Sequence, residues 1–272
     1  MREELCVQEI KDIALMLLKT FDDYCVQHNI KYTLGFGTLL GAIRHNGFIP
    51  WDDDIDIFMV RNEYEKFLLF YKNDNDILGK DVKLYSIETE SKYTTPLPKI
   101  VYTNTILKQP NHAEKIDLGV YLDIFVFDLI PQNDKAKGKI WEKCKRRQRF
   151  WWLCETFPDK GSSFRLRFAK KILNMGFARI PSILMTNTAK RNTKKYNKSL
   201  YYCNLLYCVY SREKESFSAN ELLTLFRHRF ENIEVYCSTY YDTILTRLYG
   251  DYMRLPPEEQ RVTHHNYVAY VK

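Results

Sequence analysis

Residues 47–58 read GFIPWDDDIDIF, and no other stretch restricts the fold of this chain so tightly. Four aspartates occupy five positions here, beside Trp51 and among isoleucine and phenylalanine. Carboxylates are poor strand formers and costly to desolvate. A strand that carries several must therefore turn them toward water or toward a cation. Asp54-Ile55-Asp56-Ile57 alternates, and strand side chains two positions apart project from one face. Ile55 and Ile57 can then enter a core while both carboxylates converge on the other side. Two readings stand at this point: a solvated acidic turn after Pro50, or a site where a divalent cation relieves the repulsion between like charges.

A third carboxylate on a neighbouring strand would complete such a site. Asp123, in YLDIFVF, sits among strand-forming apolar residues with no local reason to be acidic. Asp128 falls on the opposite face near the end of the same strand and reads as a cap or turn residue. Mg²⁺ takes a few hard carboxylate oxygens together with substrate phosphates. Upstream, Gly35, Gly37 and Gly41 allow close backbone approach, and Thr38 stands at a helix start, where amides and a hydroxyl can bind phosphate oxygens. Glycine turns also arise for steric reasons alone. Arg44 and Lys99 are cationic enough to hold phosphate, or are solvated surface residues.

The rest of the chain supplies a frame. Leu5, Ile10, Ile13, Leu17, Phe21 and Tyr24 recur at helical spacing. A short strand is expected over 30–34, a helix including 39–44, a strand over IDIFMV and a helix over 62–71. Strands follow in DVKLYSI, PKIVYTNTILK and GVYLDIFVFDLIP. From about 135 to 200 the pattern is helical and basic, with Trp141, Phe150, Trp151 and Trp152 interleaved, a turn at 158–161, and Pro181 beginning or breaking a helix. Two helices, 219–229 and 240–249, precede a proline-bounded turn.

Charge is segregated along the chain. Residues 135–214 hold 21 Lys or Arg against four acids, whereas the remainder has a balance of −10. Such a basic block points to anionic partners: phosphates, polyanions or a charged membrane surface. The 165–185 stretch mixes cations with Leu, Ile, Phe and Met as interfacial helices do. No apolar run is long enough to span a bilayer and no secretory leader is visible, which predicts a cytoplasmic protein, peripheral at the membrane's inner face. Seven cysteines without C-x-x-C spacing read as scattered reduced thiols rather than a zinc site.

Four segments together resemble the LicD family: Gly-Thr-Leu-Leu-Gly-Ala-Ile-Arg-His (37–45), Gly-Phe-Ile-Pro-Trp-Asp-Asp-Asp-Ile-Asp-Ile (47–57), Tyr-Leu-Asp-Ile-Phe (121–125) and LYGDYMRLPPEEQRVTHH (248–265). They occur in the family's order. The resemblance implies an α+β fold of the nucleotidyltransferase-like superfamily, shared with fukutin-related pentitol-phosphate transferases, in which a short mixed sheet is packed by helices. Residues 1–27 would form a helix packed on the core. Residues 28–265 would form the LicD-like domain, including the basic helical segment at about 135–215, where acceptor choice would lie.

The resemblance also implies an activity. Phosphocholine or another phospho-alcohol would pass from a CDP-linked donor to a cell-envelope glycan, such as lipopolysaccharide or teichoic acid, releasing CMP. Asp54, Asp56 and Asp123 would hold Mg²⁺ or Mn²⁺ and carry catalysis, with Asp123 nearest the acceptor hydroxyl. Gly37 and Thr38 would contact phosphate, and Arg44 and Lys99 the diphosphate. Asp52, Asp53, His45 and His265 would support the site. The fifteen residues between Thr38 and Asp54 exceed the usual superfamily spacing but match the LicD type. The rival readings are a nucleotidyltransferase attacking the α-phosphate and a basic binding module without activity; no specific nucleic-acid partner is expected.

Overall fold

The structure, a computed structural model, describes residues 3–74, 77–109, 116–156, 165, 168, 170, 177–263 and 267–272. The N-terminal periodicity closes into helix α1 (Val7–Gln27), which lays Ile10, Ala14, Leu17, Leu18 and Phe21 into the core. Strand β1 (Thr33–Leu34) is shorter than the span 30–34 expected. Helix α2 (Phe36–His45) follows it, then strand β2 (Asp56–Val60) and helix α3 (Arg61–Asn73). Next come β3 (Val82–Tyr85), β4 (Lys99–Tyr102), β5 (Thr105–Lys108) and β6 (Tyr121–Leu129).

β6 organises the main sheet. Its one edge pairs in parallel with β2. Its other edge is shared: residues 121–123 pair with β4, and residues 127–129 with β7 (Tyr201–Asn204). With β1, β3 and β8 (Ser216–Ser218) the sheet has seven strands and is mixed, and helices pack it, as an α+β chain requires. Two small antiparallel ribbons accompany it. One joins β9 (Leu225–Phe230) to β10 (Ile233–Ser238), and the other joins β5 to β11 (Val268–Val271).

The basic segment contributes α4 (Asp134–Glu155) and α5 (Arg179–Lys195), which pack on each other, α5 also lying against β6. The Asn133 side chain caps α4 by accepting from the Ala136 N–H. Pro181 stands in the first turn of α5, where a missing N–H breaks no helical hydrogen bond. The turn expected at 158–161 lies outside the described residues.

Two expectations are corrected. The helix expected over 219–229 stops at Leu223: α6 (Ala219–Leu223) is closed at its start by a Ser218–Glu221 capping box, and β9 takes over. Phe226, His228 and Phe230 alternate with Arg227 and Arg229, a two-residue period that pays off only because β10 pairs beside it. Helix α7 (Tyr241–Tyr249) ends at Gly250, whose φ of 73° suits glycine. Asp128 is neither cap nor turn. It is fully buried within β6, where it accepts from Arg61 Nε (2.7 Å) and Nη2 (3.0 Å) and from Thr193 Oγ1 (3.1 Å). That network ties α3 and α5 to the sheet behind the aspartates.

Candidate active site

Asp56 is the Cα partner of Asp123 across the parallel β2–β6 pair, and Asp123 is in turn the partner of Lys99 on β4. Partnered residues on adjacent strands share a face and stand about 4.8 Å apart. Three strands thus set a carboxylate, a carboxylate and an ammonium in one row. Lys99 Nζ donates to Asp123 Oδ1 and lies 3.4 Å from the centroid of the Tyr121 ring. Asp54 precedes β2 instead of belonging to it, yet the alternation holds: Ile55 and Ile57 are buried, and Asp54 and Asp56 line one cavity with Asp52 and Asp123.

The glycine turn is built onto Asp56 directly. Gly35 N–H donates to the Asp56 carbonyl (2.8 Å), and Asp56 N–H donates to Thr38 Oγ1 (2.8 Å). Thr38 is therefore buried behind the cavity wall, anchoring the strand that bears Asp56. Between them, Phe36 takes a positive φ of 35° and packs edge-on against Phe58 and Phe125. Such backbone strain persists only where surroundings enforce it. A β-carbon at Gly37 would come within 2.7 Å of Asp52 Oδ2, so only glycine leaves that carboxylate its place.

The electrostatics follow from the crowding. Burial, then Asp54, Asp123 and Asp52, drive the Asp56 carboxyl well above the ordinary carboxylate range, and Lys99 offsets this only in part. The tyrosines around the cavity respond in the same way. Burial, with Asp123 and Asp56, pushes Tyr207 up to about 12, and Tyr249 is raised by burial and by Tyr210, with Asp56 and Asp52 adding. A group of oxygens this rich in negative charge suits a hard divalent cation. Among the described residues no three His, Cys, Asp or Glu side chains are already set to hold one, and Asp123 faces Lys99. The donor chemistry fits Mg²⁺, with Asp56 and Asp123 the pair best placed to share it.

The remaining sequence candidates divide. Lys99 and Gly37 line the cavity. Arg44 does not: its Nη1 donates to the Tyr252 carbonyl (2.7 Å) and its Nε to His45 Nε2 (3.0 Å). Burial and Arg44 together lower the His45 pKa. Asp53 is buried and hydrogen-bonded to Tyr267, which secures the lead-in to β11. His265 lies outside the described residues.

The cavity, about 480 Å³, extends well beyond the aspartates. Tyr93, Trp151, Trp152, Glu155, Tyr207, Tyr210 and Tyr249 line it, and none was singled out as a site residue by local pattern. The interleaving of tryptophans with cations in the basic segment was the available signal for two of them. Tyr249 comes from the LYGDYM segment, which gives that C-terminal motif a place at the site.

Comparison with known proteins places the chain in one family. The family described as "LicD/FKTN/FKRP, nucleotidyltransferase domain" matches residues 29–158. A Haemophilus influenzae protein named lipopolysaccharide cholinephosphotransferase LicD is 31% identical over 274 residues, covering 99% of each chain. An uncharacterized Rickettsia prowazekii protein is 32% identical over 111 residues, 35% of this chain and 40% of its own. An uncharacterized Rickettsia typhi protein is 43% identical over 58 residues, 21% of this chain and 19% of its own.

Proposed function

Because the chain belongs to the LicD family, we propose that it transfers phosphocholine, or another phospho-alcohol, from a CDP-linked donor to a cell-surface glycan, with CMP as the leaving group. The full-length likeness to a lipopolysaccharide cholinephosphotransferase supports a glycan acceptor. The observation that carries the reading is the register row Asp56–Asp123–Lys99 on the wall of a large cavity. Bound at Asp56 and Asp123, Mg²⁺ or Mn²⁺ would supply charge neutralisation to the donor pyrophosphate. Lys99 adds a fixed positive charge beside it. Gly37, lacking a side chain, keeps the backbone open to a phosphate oxygen. Asp123 faces the acceptor hydroxyl, and Asp52 and Asp54 hold the approach acidic. Residues 28–265 act as the catalytic domain, with the N-terminal helix packed on it.

The same residues could serve attack at either phosphorus of the donor. In-line geometry permits one in any bound pose. A donor labelled in its alcohol, incubated with glycan and Mg²⁺, decides: label on the glycan with stoichiometric CMP supports phospho-alcohol transfer. Cytidine on the acceptor with free phospho-alcohol would make the protein a nucleotidyltransferase instead.

The acceptor is best met at the cytoplasmic face of a membrane. No helix among the described residues is long and apolar enough to cross one. Phe150 and Leu153 on α4, and Phe177, Ile180 and Leu184 at the start of α5, are nonetheless exposed. Arg147 Nη1 donates to the Leu184 carbonyl (2.8 Å), which ties together the two helices that carry these side chains. Lys143, Arg146 and Arg149 are exposed on the same helix. Exposed apolar side chains and cations on packed helices suit an anionic bilayer surface.

A further inference from the structure

The stretch between β3 and β4, residues 86–98, walls one side of the cavity without belonging to the sheet. Pro96 and Pro98 have no N–H to give to a ladder, and the backbone stays irregular. Lys92, Tyr93, Thr94, Thr95 and Leu97 line the cavity from it. Helix α5 holds this wall in place. Arg179 Nη1 donates to the carbonyls of Glu90 (2.8 Å) and Tyr93 (2.6 Å), and Nη2 to that of Ile87 (3.0 Å). Ser182 Oγ donates to the Thr94 carbonyl (2.5 Å), and Lys190 pairs with Glu88 (3.2 Å). Arg179 is the first residue of α5, where the helix dipole disfavours a cation, and Ala178 before it supplies no side-chain cap. The helix itself does not account for an arginine here; the three carbonyls do. A guanidinium presents its N–H groups in a fixed fork, which a lysine ammonium cannot reproduce. Beyond Thr94 the same stretch runs into β4 at Lys99, whose ammonium meets Asp123.

We infer that, given the phospho-alcohol transfer proposed above, Arg179 and Ser182 are positioning residues that clamp this wall against water and so keep the transfer from becoming hydrolysis. A donor activated at its phosphate is open to any oxygen aligned with the phosphorus, water included. In transfer, the acceptor oxygen forms the new P–O bond, the P–O bond to CMP breaks, and the hydroxyl proton is released to solvent. In the side reaction a water oxygen takes the acceptor's place, and CMP and free phospho-alcohol depart. A closed site suppresses such leakage by excluding water. The wall that 87–94 forms has few ladder bonds of its own, so its closure depends on the four carbonyls that Arg179 and Ser182 engage.

Two measurements test this on the wild type, Arg179→Ala, Arg179→Lys and Ser182→Ala. In the first, a donor labelled in its alcohol is incubated with glycan and Mg²⁺, and the ratio of free labelled phospho-alcohol to label on the glycan is read. Unfolded protein makes neither product, so this ratio is blind to a loss of stability alone. It should rise about ten-fold in Arg179→Ala and about three-fold in Ser182→Ala, with Arg179→Lys between them. In the second, hydrogen–deuterium exchange should show the amides of residues 87–97 exchanging faster in Arg179→Ala while those of β6 keep their protection. An unchanged product ratio in Arg179→Ala would overturn the water-excluding role, whatever the fall in total rate. Unchanged exchange over 87–97 would overturn the clamp itself. No CMP release by the wild type would overturn the transfer reading, while the exchange experiment still judges the clamp.

Discussion

Asp56 on β2 and Asp123 on β6 are register partners across the parallel pair of the main sheet, so two carboxylates that lie 67 positions apart in sequence face one cavity side by side. The arrangement is costly without a cation, since Asp123 adds to the burial that raises the proton affinity of Asp56. Asp56→Asn and Asp123→Asn should each lower turnover roughly a hundred-fold or more while the fold is kept. In chelator, the Asn variants should melt no lower than the wild type. Mg²⁺ at a hundred-fold excess over its Kd should stabilise the wild type by about 2.7 kcal/mol and the double variant hardly at all. Calorimetric melting with and without EDTA reads both effects. Full activity in EDTA would remove the metal from this site.

Behind the site, the Arg61–Asp128 pair is wholly buried, and Arg61 Nη1 has no hydrogen-bond partner among the described residues. Removing one member leaves the other's charge uncompensated. Asp128→Asn should cost about 3–5 kcal/mol in urea unfolding, and replacing both residues by apolar ones of similar volume should recover much of that loss. A cost under about 1 kcal/mol would mean the pair contributes little to holding α3 against β6.

Glu215 anchors the loop that carries Tyr207 and Tyr210 to the cavity, accepting from the Tyr210 N–H. Burial pushes its carboxyl from an ordinary 4.5 up to about 7, against the pull of the Tyr210 and Val209 amides. A folded-state value above the unfolded one means the native protein holds this proton more tightly. The associated stability is therefore complete below pH 4.5 and is lost as pH rises through 7, on the order of 3 kcal/mol in all. Glu215→Gln, neutral throughout, should flatten the dependence of Tm on pH across that window. An unchanged slope would show that other groups set it.

The exposed apolar side chains and cations of α4 and α5 should bring the protein down with liposomes rich in anionic lipid, less so at high salt. Phe150→Ser combined with Ile180→Ser should release it while CMP production from a soluble acceptor persists. Sedimentation indifferent to lipid charge would leave these side chains without a membrane role.

The sequence by itself determined what is local. The alternation from Asp54 to Ile57, the isolated acid at 123, the helical spacing of α1 and the order of the four family segments are each written within a few residues, because strand and helix periods are short-range properties. Those patterns were enough to indicate the family and to mark the carboxylates as candidates. Tertiary structure decided which of them meet. Register across β2, β6 and β4 put Lys99 beside Asp123 and drew Asp56 alongside; nothing within any one strand specifies its neighbours' alignment. Arg44 was turned away by the Tyr252 carbonyl, 208 positions distant, and Asp128 was taken into a buried pair with Arg61. The strand over 225–230 exists because β10 pairs beside it, so a helical reading of that stretch could not foresee it. The aromatic end of the cavity draws on β6, α4 and the 201–210 region at once. Its rings look like ordinary core residues in sequence, and only long-range packing turns them toward a common space.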